Sequence, residues 1–397
     1  MDFSLSDEEQ AFQEAVRRFG DKVLRPNERR IDSEGRIPPE VLAEMARLGL
    51  LAMPVPTEYG GMGASAVLTE IAAEEIGRGD FSMATAVFFL LEAGWGYILS
   101  QHGTEEAKRE VLPPVCQGRT FLGIATTEPT GGSDLANMRT RSRREGAEFV
   151  VRGEKAFVSG VEEAKSLGGG HLTLTRASDR DGFNFLYVPT RSPAISTQKF
   201  ENMGRMGIST GGLTYDDARV PEKYLIGAEG KGFSAAMEGF SVARTFVSAA
   251  CIGAAERALE TGMAYIRQRQ VFGQPLGKFE GIQFELVDLW TQVEAVKWQC
   301  RRAAWLLDRY TLRGDSSHRS EVDRAVASVK LTAPPIAFET VKRVMMWFGA
   351  AGYTKDVGLE LGFRGVMSYM VGAEGGLNIM RIILGRELLG SEFIPYK

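Results

Sequence analysis

Hydroxyl side chains and glycines are concentrated in residues 126–134, which read TTEPTGGSD. Glycine lets backbone amides approach a phosphate or an aromatic ring closely, and Thr and Ser hydroxyls donate hydrogen bonds to its oxygens or nitrogens. An ordinary glycine-rich turn is the alternative interpretation. The segment is therefore a candidate ligand-binding loop whose function has to be judged from the rest of the chain.

Residues that bind metals or form disulfides are few and scattered. The three cysteines, Cys116, Cys251 and Cys300, form no CxxC pair, and the three histidines lie in separate segments. This pattern predicts neither a disulfide framework nor a zinc site, and it fits a reducing compartment. The chain starts with MDFSLSDEE, which is acidic where a signal or transit peptide is basic, so we expect a cytoplasmic location.

Three zones of apolar periodicity must position the candidate loop. Apolar residues recur at three- and four-residue steps up to about residue 117, which predicts helices. Short apolar runs punctuated by Gly, Asn, Asp and Pro follow, which predicts antiparallel strands. Helical periods then return, and we predict helices over residues 249–269, 281–312, 322–348 and 377–389, the third kinked at Pro334–Pro335.

These zones predict an α+β fold. We expect an N-terminal helical domain in residues 1–120, a β-barrel-like domain in residues 121–235 and a C-terminal four-helix bundle in residues 236–397. The apolar stretch 83–99 is short and contains Glu92, so it is predicted to be a buried core helix and not a membrane span.

Composition excludes several classes of protein. The 397 residues include 47 Lys+Arg and 51 Asp+Glu, a net charge of -4, so there is no global basic field for nucleic acid or anionic membranes. The length leaves room for two to three domains at roughly 150 residues each. Ordinary proportions of charged and apolar residues indicate a folded globular chain.

Several segments resemble, in order, the signatures of the acyl-CoA dehydrogenase family. Residues 126–134 are similar to its TEP-x-x-GSD signature, and KAFVS at 155–159 is similar to its K-x-W-I-T strand. RQVFG at 269–273 resembles the R-x-x-FG element, and FGAAGY at 348–353 resembles the GG-x-GY turn. The resemblance extends over essentially the whole chain.

The resemblance implies that FAD binds without a Rossmann fold, and the sequence lacks GxGxxG at the head of a βαβ unit. It implies that Thr127 hydrogen-bonds the flavin pyrimidine edge, that Ser159 reaches the N5 region and that Phe157 lies against the ring. Ser133 is expected near the pyrophosphate or the CoA arm. The full set of expected cofactor residues is Thr126, Thr127, Ser133, Phe157, Val158, Ser159, Arg269, Phe272, Phe279, Met346, Gly349, Gly376 and Asn378.

Arg269 is expected to reach the FAD pyrophosphate of a neighbouring subunit, because a guanidinium offers a permanent charge and a fork of donors that matches phosphate. This role implies a homotetramer or a dimer. The alternative is a solvated arginine at a helix end.

The resemblance identifies Glu374 as the catalytic base. Glu374 stands in AEGG directly before the last predicted helix, where the family has Y-E-G-T. Apolar enclosure should raise its proton affinity, whereas a helix N-terminus opposes that rise. Some relatives carry the base before the arginine of an earlier helix, but here that residue is Ala243, before Arg244. The alternative is that Glu374 only favours the start of a helix.

Departures from the family pattern bear on the substrate. Ala373 replaces the tyrosine before the base, which implies room for a bulky, branched or cyclic acyl group. Gly376, Met346 and Glu280 replace a threonine and two glutamines that are expected to contact FAD, whereas Asn378 is expected to retain one contact.

Glu92 is the unusual residue on the segment that resembles the helix closing the acyl pocket. Three interpretations are open: a pair with a core arginine, contact with a polar or cationic acyl tail together with Trp95, or a second acid/base. The segment contains no arginine, which disfavours a dicarboxylic acyl group. The expected substrate-binding residues are Ser133, Arg244, Ala373, Gly375, Glu92 and Trp95.

The resemblance implies dehydrogenation of an acyl-CoA to the 2-enoyl-CoA, with electrons passed to an electron-transferring flavoprotein. A flavin oxidase or an enoyl-CoA reductase is the alternative within the enzymes. A non-catalytic flavoprotein scaffold is the alternative from another class, favoured by the changes at Met346 and Gly376 and disfavoured by the presence of Glu374, Thr127 and Ser159.

Overall fold

A computed structural model describes residues 4–395, so the first three residues of the acidic N-terminal segment and the last two residues lie outside it. Helices dominate the chain up to Cys116, as the periodicity predicts. The first helix begins at a capping box, in which the hydroxyl of Ser6 accepts from the N–H of Glu9 and the Glu9 carboxylate accepts from the N–H of Ser6. The helices are α1 (Asp7–Phe19), α2 (Arg25–Glu34), α3 (Pro39–Arg47), α4 (Ala66–Gly79), α5 (Ala84–His102) and α6 (Glu105–Cys116).

Helix α5 is the predicted core helix. Every residue from Ala84 to Ser100 is buried, which confirms the interpretation of the apolar stretch. No helix in residues 4–395 is both long enough and apolar enough to cross a bilayer. Burial on all sides explains why α5 lacks the polar face of a surface helix.

The middle of the chain forms one curled seven-stranded sheet in the order β1-β4-β2-β3-β7-β6, with β5 paired to β4. Most pairings are antiparallel, as predicted, but β1 and β2 each run parallel to β4, which the sequence did not indicate. Parallel pairs need long connections, which local alternation does not reveal. The strands are β1 (Phe121–Ala125), β2 (Arg141–Glu145), β3 (Glu148–Ser159), β4 (Gly169–Ala177), β5 (Phe183–Pro189), β6 (Ile195–Lys199) and β7 (Thr210–Pro221).

Five helices follow the sheet in the described residues, one more than predicted. They are α8 (Gly232–Gln268), α9 (Glu280–Arg309), α10 (Arg319–Trp347), α11 (Leu359–Val371) and α12 (Leu377–Leu389). A short helix, α7 (Val161–Ser166), lies earlier, within the sheet region. A small hairpin of β8 (Gln270–Val271) and β9 (Gln274–Pro275) follows α8. The prediction omitted α11 because glycines interrupt its apolar pattern. Helix α10 is assigned as one continuous helix through Pro334–Pro335. Helix α8 begins at Gly232, so the predicted domain boundary at residue 236 falls inside this helix, near its start.

Helix α8 is the central element of the helical part and packs against α4, α5 and α10. Its backbone touches that of α4: a Cβ on Gly253 would lie 1.8 Å from the carbonyl oxygen of Glu74, and one on Gly77 would lie 2.1 Å from that of Ala250. Only glycine permits this approach. The packing fixes the N-terminal helices on α8, which also carries Arg244.

Candidate active site

The loop between α11 and α12 carries Glu374 in a strained and buried conformation. Glu374 has φ 59°, in the left-handed region that non-glycine residues rarely adopt, and the next residue, Gly375, has φ 105°. Such a backbone persists only when its surroundings hold it. Glu374 is 8% exposed, so the carboxyl group lies inside the protein.

Two buried cations hold the Glu374 loop and the helix that precedes it. Nε of Arg244 donates to the backbone carbonyl of Glu374 at 2.8 Å, and Nζ of Lys330 on α10 donates to the carbonyl of Tyr369 at 2.7 Å. The phenol of Tyr369 donates in turn to the carbonyl of Met83 at 3.0 Å. The end of α11 is therefore attached to α10 and to the start of α5.

Burial is the largest influence on Glu374 and raises the pKa of its carboxyl to about 7. The positive charges of Arg244 and Lys330, the indole of Trp95 and the charge of Arg205 oppose that rise. Burial also lowers the pKa of Lys330 to about 8 and that of Arg244 to about 10. The expected rise in proton affinity is confirmed, and a carboxyl of this kind can accept a proton near neutral pH.

An aromatic wall stands beside Glu374. Trp95 on α5 is fully buried and meets Phe240 edge-on at 5.3 Å between ring centroids. The wall is closely packed, because a Cβ on Gly239 would lie 2.2 Å from the Trp95 ring. The Glu374 atom Oε2 and the indole Nε1 of Trp95 have no hydrogen-bond partner at normal geometry among residues 4–395. The carboxyl is thus free to receive a proton.

Glu92 lies on the same helix as Trp95 but has no arginine partner among residues 4–395, so the interpretation as a pair with a core arginine, one of the three left open, was wrong. Both carboxyl oxygens are buried and lack a hydrogen-bond partner within the described chain. Burial raises the pKa of the Glu92 carboxyl well above its usual range. Burial therefore favours the neutral, protonated form of the Glu92 carboxyl.

The Thr126–Thr127 corner is anchored to β3 by a buried ion pair. Nζ of Lys155 donates to the carbonyl of Thr126 at 2.9 Å and to the carboxylate of Glu128 at 3.2 Å. The carbonyl of Thr127 accepts from the N–H of Ala156 at 2.9 Å. The loop then turns back over Thr127 and presents Ser133 to solvent.

A bulge in β3 turns Phe157 outward. The register between β3 and β7 shifts between Lys155 and Val158, and Phe157 has φ 56° and is 68% exposed. Val158 points inward and is buried, whereas Ser159 is half-buried. An exposed ring flanked by threonine and serine hydroxyls offers a flat apolar surface with polar edges, which suits an aromatic heterocycle.

Arg205 connects this surface to Glu374. Its guanidinium donates to the hydroxyls of Ser159 at 3.2 Å and Thr210 at 2.7 Å, and its charge acts on the Glu374 carboxyl. Arg205 therefore links the end of β3 to the α11–α12 loop. Sequence reasoning assigned no role to Arg205 or Lys330. The position of Lys330 between the apolar residues Val329 and Leu331 of α10 was the available signal for that residue, and no local signal existed for Arg205.

Other predicted cofactor residues lie at the opposite end of α8. Arg269 caps that helix and is exposed, and Phe272 next to it is 97% exposed, with its ring 6.4 Å from that of Phe279. Met346 is 72% exposed and Gly349 has φ 59° at the adjoining end of α10. At 1.5 Å per residue, Arg269 is about 37 Å along α8 from Arg244. Within one chain, therefore, Arg269 and its neighbours lie far from Arg244 and Glu374.

The remaining predicted residues belong to the Glu374 loop itself. Ala373 is half-buried and packs on the core, and Gly376 is the N-cap of α12. Asn378 lies in the first turn of α12, and its side-chain oxygen accepts from Arg381 at 2.9 Å. Glycine at the N-cap leaves the first N–H groups of α12 without a side-chain cap.

The chain matches all three domains of one enzyme family. Residues 6–119 match the acyl-CoA dehydrogenase N-terminal domain, residues 123–218 its middle domain and residues 230–389 its C-terminal domain. The structure of the glutaryl-coenzyme A dehydrogenase glutaryl-CoA complex superposes with a TM-score of 0.91 at 27% identity, covering 100% of this chain and 99% of that one.

Three curated relatives are similar over 98% of this chain. Probable acyl-CoA dehydrogenase YngJ of Bacillus subtilis is 31% identical, with 100% of that protein covered. Acryloyl-CoA reductase (NADH) of Anaerotignum propionicum is 32% identical, with 96% covered. Cyclohexane-1-carbonyl-CoA dehydrogenase of Geobacter metallireducens is 30% identical, with 99% covered.

Proposed function

Because this chain belongs to the acyl-CoA dehydrogenase family, we propose that it oxidises an acyl-CoA thioester to the 2-enoyl-CoA, with Glu374 as the base. The observation that carries this proposal is the buried, strained Glu374, whose carboxyl has a pKa of about 7 and a free oxygen. Structural carboxylates are normally paired, and a buried carboxyl group with an unbonded oxygen fits proton abstraction.

In the proposed reaction Glu374 takes the α-proton of the thioester, and the electrons of that C–H bond form the carbon–carbon double bond. FAD is the cofactor and supplies the acceptor for the β-hydrogen, which leaves with its electron pair. Arg244 keeps the Glu374 backbone in place, and Trp95 and Phe240 exclude water from the carboxyl. Exclusion of water strengthens the electrostatic interactions in the site.

The residues present fit FAD. Phe157 offers its exposed ring, and Thr127 and Ser159 offer polar groups at its edges, so the isoalloxazine end belongs on this face of the sheet. The expected pyrophosphate ligand Arg269 lies at the other end of α8. We therefore propose that Arg269 serves the FAD of a second copy of this chain, which makes the active enzyme a homotetramer or a dimer.

An exposed apolar face on α9 supports assembly. Its large side chains are between 43% and 63% exposed, which is unusual for a helix that faces only water; they are Phe284, Val287, Trp290, Trp298 and Trp305. A second copy of the chain would cover them and bring its Arg269 with it. We propose this face as part of the subunit interface.

We propose a bulky, branched or cyclic acyl group as the substrate. Ala373 leaves space where the family has a tyrosine, although Trp95 fills part of the surroundings of Glu374. Helix α5 offers no cation to a dicarboxylic acyl group. A cyclohexane-1-carbonyl-CoA dehydrogenase among the relatives favours an alicyclic acyl-CoA. We propose an electron-transferring flavoprotein as the acceptor and the cytoplasm as the location.

An enoyl-CoA reductase is the second candidate, because a relative of 32% identity is named acryloyl-CoA reductase. The test is anaerobic titration of the flavin band with straight, branched, alicyclic and aromatic-tailed acyl-CoAs, followed by reoxidation with 2-enoyl-CoAs. Bleaching by one class of acyl-CoA supports the dehydrogenase. Reoxidation by enoyl-CoA without bleaching by any acyl-CoA supports the reductase.

The matched variant is Glu374→Gln, which preserves shape and removes the base. The proposal requires that it retain FAD and lose reduction by substrate. Reduction at the rate of the unaltered protein would exclude Glu374 as the base and make Glu92 the next residue to substitute. Protein that binds no FAD even when FAD is supplied would favour the scaffold function.

A further inference from the structure

Four arginines form one outward face of the β-sheet, next to the loop that carries Ser133. Arg139, Arg141 and Arg143 are spaced by two residues, so their side chains point to the same side. Arg152 on β3 is the direct partner of Arg141 on β2 and therefore shares that side. We name Arg139, Arg141, Arg143 and Arg152 the arginine face. They line a cavity of about 270 Å³ together with Val150 and Ser178.

The positive charge of this face is only partly compensated. Arg143 contacts Glu145 at 2.8 Å and Asp217 at 3.7 Å, and Arg152 contacts Asp217 at 3.3 Å. The guanidinium groups of Arg139 and Arg141 have no ionic or hydrogen-bond partner within residues 4–395. Four guanidinium groups thus share two carboxylates, and two of the four are free to bind an anion.

The arginine face is fixed to the predicted cofactor and substrate loop. The backbone N–H groups of Arg139 and Thr140 donate to the carboxylate of Glu128 at 2.7 and 2.8 Å. The guanidinium of Arg176 donates to the carbonyls of Ala136 and Met138. The end of this segment, from Ala136 to Thr140, is therefore held against the sheet, so the arginine face begins six residues after Ser133 on the same anchored segment.

We propose that the arginine face binds the phosphates of the CoA nucleotide, above all the 3′-phosphate. This inference rests on the proposed function, because it takes an acyl-CoA thioester as the substrate. A guanidinium fork binds phosphate through two parallel hydrogen bonds, and a phosphate monoester carries close to two negative charges. The FAD pyrophosphate is the other phosphate in the proposed reaction, but the proposed assembly already supplies it with a guanidinium, from Arg269 of a second copy of this chain. The arginine face accordingly contributes to substrate affinity and not to proton transfer.

Calorimetric titration of the purified FAD-loaded protein with CoA and with 3′-dephospho-CoA tests the proposal without requiring turnover. We expect CoA to bind about tenfold more tightly than 3′-dephospho-CoA. A tenfold difference in affinity corresponds to about 1.4 kcal/mol, which is the contribution of one charge-assisted hydrogen bond. The double variant Arg139→Gln/Arg141→Gln should lose this preference and bind both ligands equally. In turnover assays its KM should rise about tenfold while kcat is unchanged.

Arg219→Gln is the matched control. Arg219 lies on the same side of the sheet beside Val150 but outside the cavity, and it pairs with Glu148 at 3.0 Å and Glu145 at 3.1 Å. Its substitution should leave the preference for CoA intact.

Two results would overturn the proposal: equal affinity of the unaltered protein for CoA and 3′-dephospho-CoA, or a preference for CoA that survives in the double variant. Reduced FAD content in the double variant would also overturn it and assign the face to the cofactor. An unchanged KM combined with slower transfer to a protein electron acceptor would assign the face to an acidic partner instead. Failure of the proposed function has a different signature, which is a flavin that no acyl-CoA bleaches.

Discussion

Arg244 binds the backbone of Glu374 and not its carboxylate: Nε donates to the carbonyl oxygen at 2.8 Å. A cation placed in this way fixes the strained loop while one carboxyl oxygen, Oε2, stays unbonded. Its charge still favours the ionised carboxylate, so burial and Arg244 act on the proton affinity in opposite directions. The outcome is a carboxyl group whose pKa lies close to neutral pH.

The first prediction concerns the pH dependence of flavin reduction. Glu374 must be ionised to accept a proton, so the rate with saturating substrate should increase with pH and level off above about pH 7. Lys330→Met removes a positive charge that favours the ionised form, and the midpoint should move to higher pH. Stopped-flow reduction between pH 5 and 9 measures both profiles.

Lys342→Met is the control for that experiment, because Lys342 lies on the same helix, α10, but is exposed and pairs with Glu339. Its profile should coincide with that of the unaltered protein. If Lys330→Met does not change the midpoint of the pH profile, Lys330 holds the helix without influencing the pKa of Glu374. Lys330→Arg retains the positive charge and should preserve the midpoint.

The second prediction concerns the packing of Trp95. Gly239→Ala adds a methyl group where a Cβ would lie 2.2 Å from the indole, so Trp95 must move. We expect a loss of unfolding free energy of about 1–3 kcal/mol, as for other overpacked cores, together with slower flavin reduction. Gly281→Ala is the control, since a Cβ there has open space. Normal activity in Gly239→Ala would contradict a role of the Trp95 wall in the site.

The third prediction concerns Glu92. The pKa of its carboxyl is raised in the folded protein, so the folded state binds a proton that the unfolded chain releases above about pH 4.5. Stability should therefore fall as pH rises, by up to about 1.4 kcal/mol per pH unit from this group. Glu92→Gln is neutral at every pH and should be the more stable protein at pH 8, with little difference at pH 4. Chemical denaturation at the two pH values measures this difference, and an equal effect at both would indicate that Glu92 is not protonated.

The fourth prediction concerns a buried ion pair that joins α2 to α8. Arg257 donates to both carboxylate oxygens of Glu28, at 2.6 and 2.8 Å, and stacks on Phe81 at 4.2 Å. Glu28→Ala would leave the buried guanidinium without its partner, so we expect a loss of about 3–5 kcal/mol of unfolding free energy. The exposed pair of Glu14 and Arg18 offers the comparison, where Glu14→Ala should cost less than about 1 kcal/mol. Similar losses in both variants would contradict this assignment.

Local patterns in the sequence were sufficient for the architecture and for the position of Glu374. Burial repeats with the period of a helix or a strand, so the helical zones, the strand zone and the core helix α5 could be predicted from spacing alone. The segment AEGG before α12 placed Glu374 where the structure has a buried carboxyl with a raised pKa. The motifs also identified the correct family, because several of them occur in the order in which that family carries them.

Tertiary structure decided what depends on residues distant in the chain. The parallel pairing of β1 with β4 joins segments separated by a long connection, and α11 is stabilised by packing of its glycines against Phe81 and Ser82, which outweighs its weak helix propensity. The same holds for the charges. The sequence could not predict that Glu92 lacks an arginine partner, that Arg205 reaches Ser159 or that Lys330 acts on Glu374. Electrostatic energy depends on distance and burial in the folded chain, and spacing along the sequence sets neither.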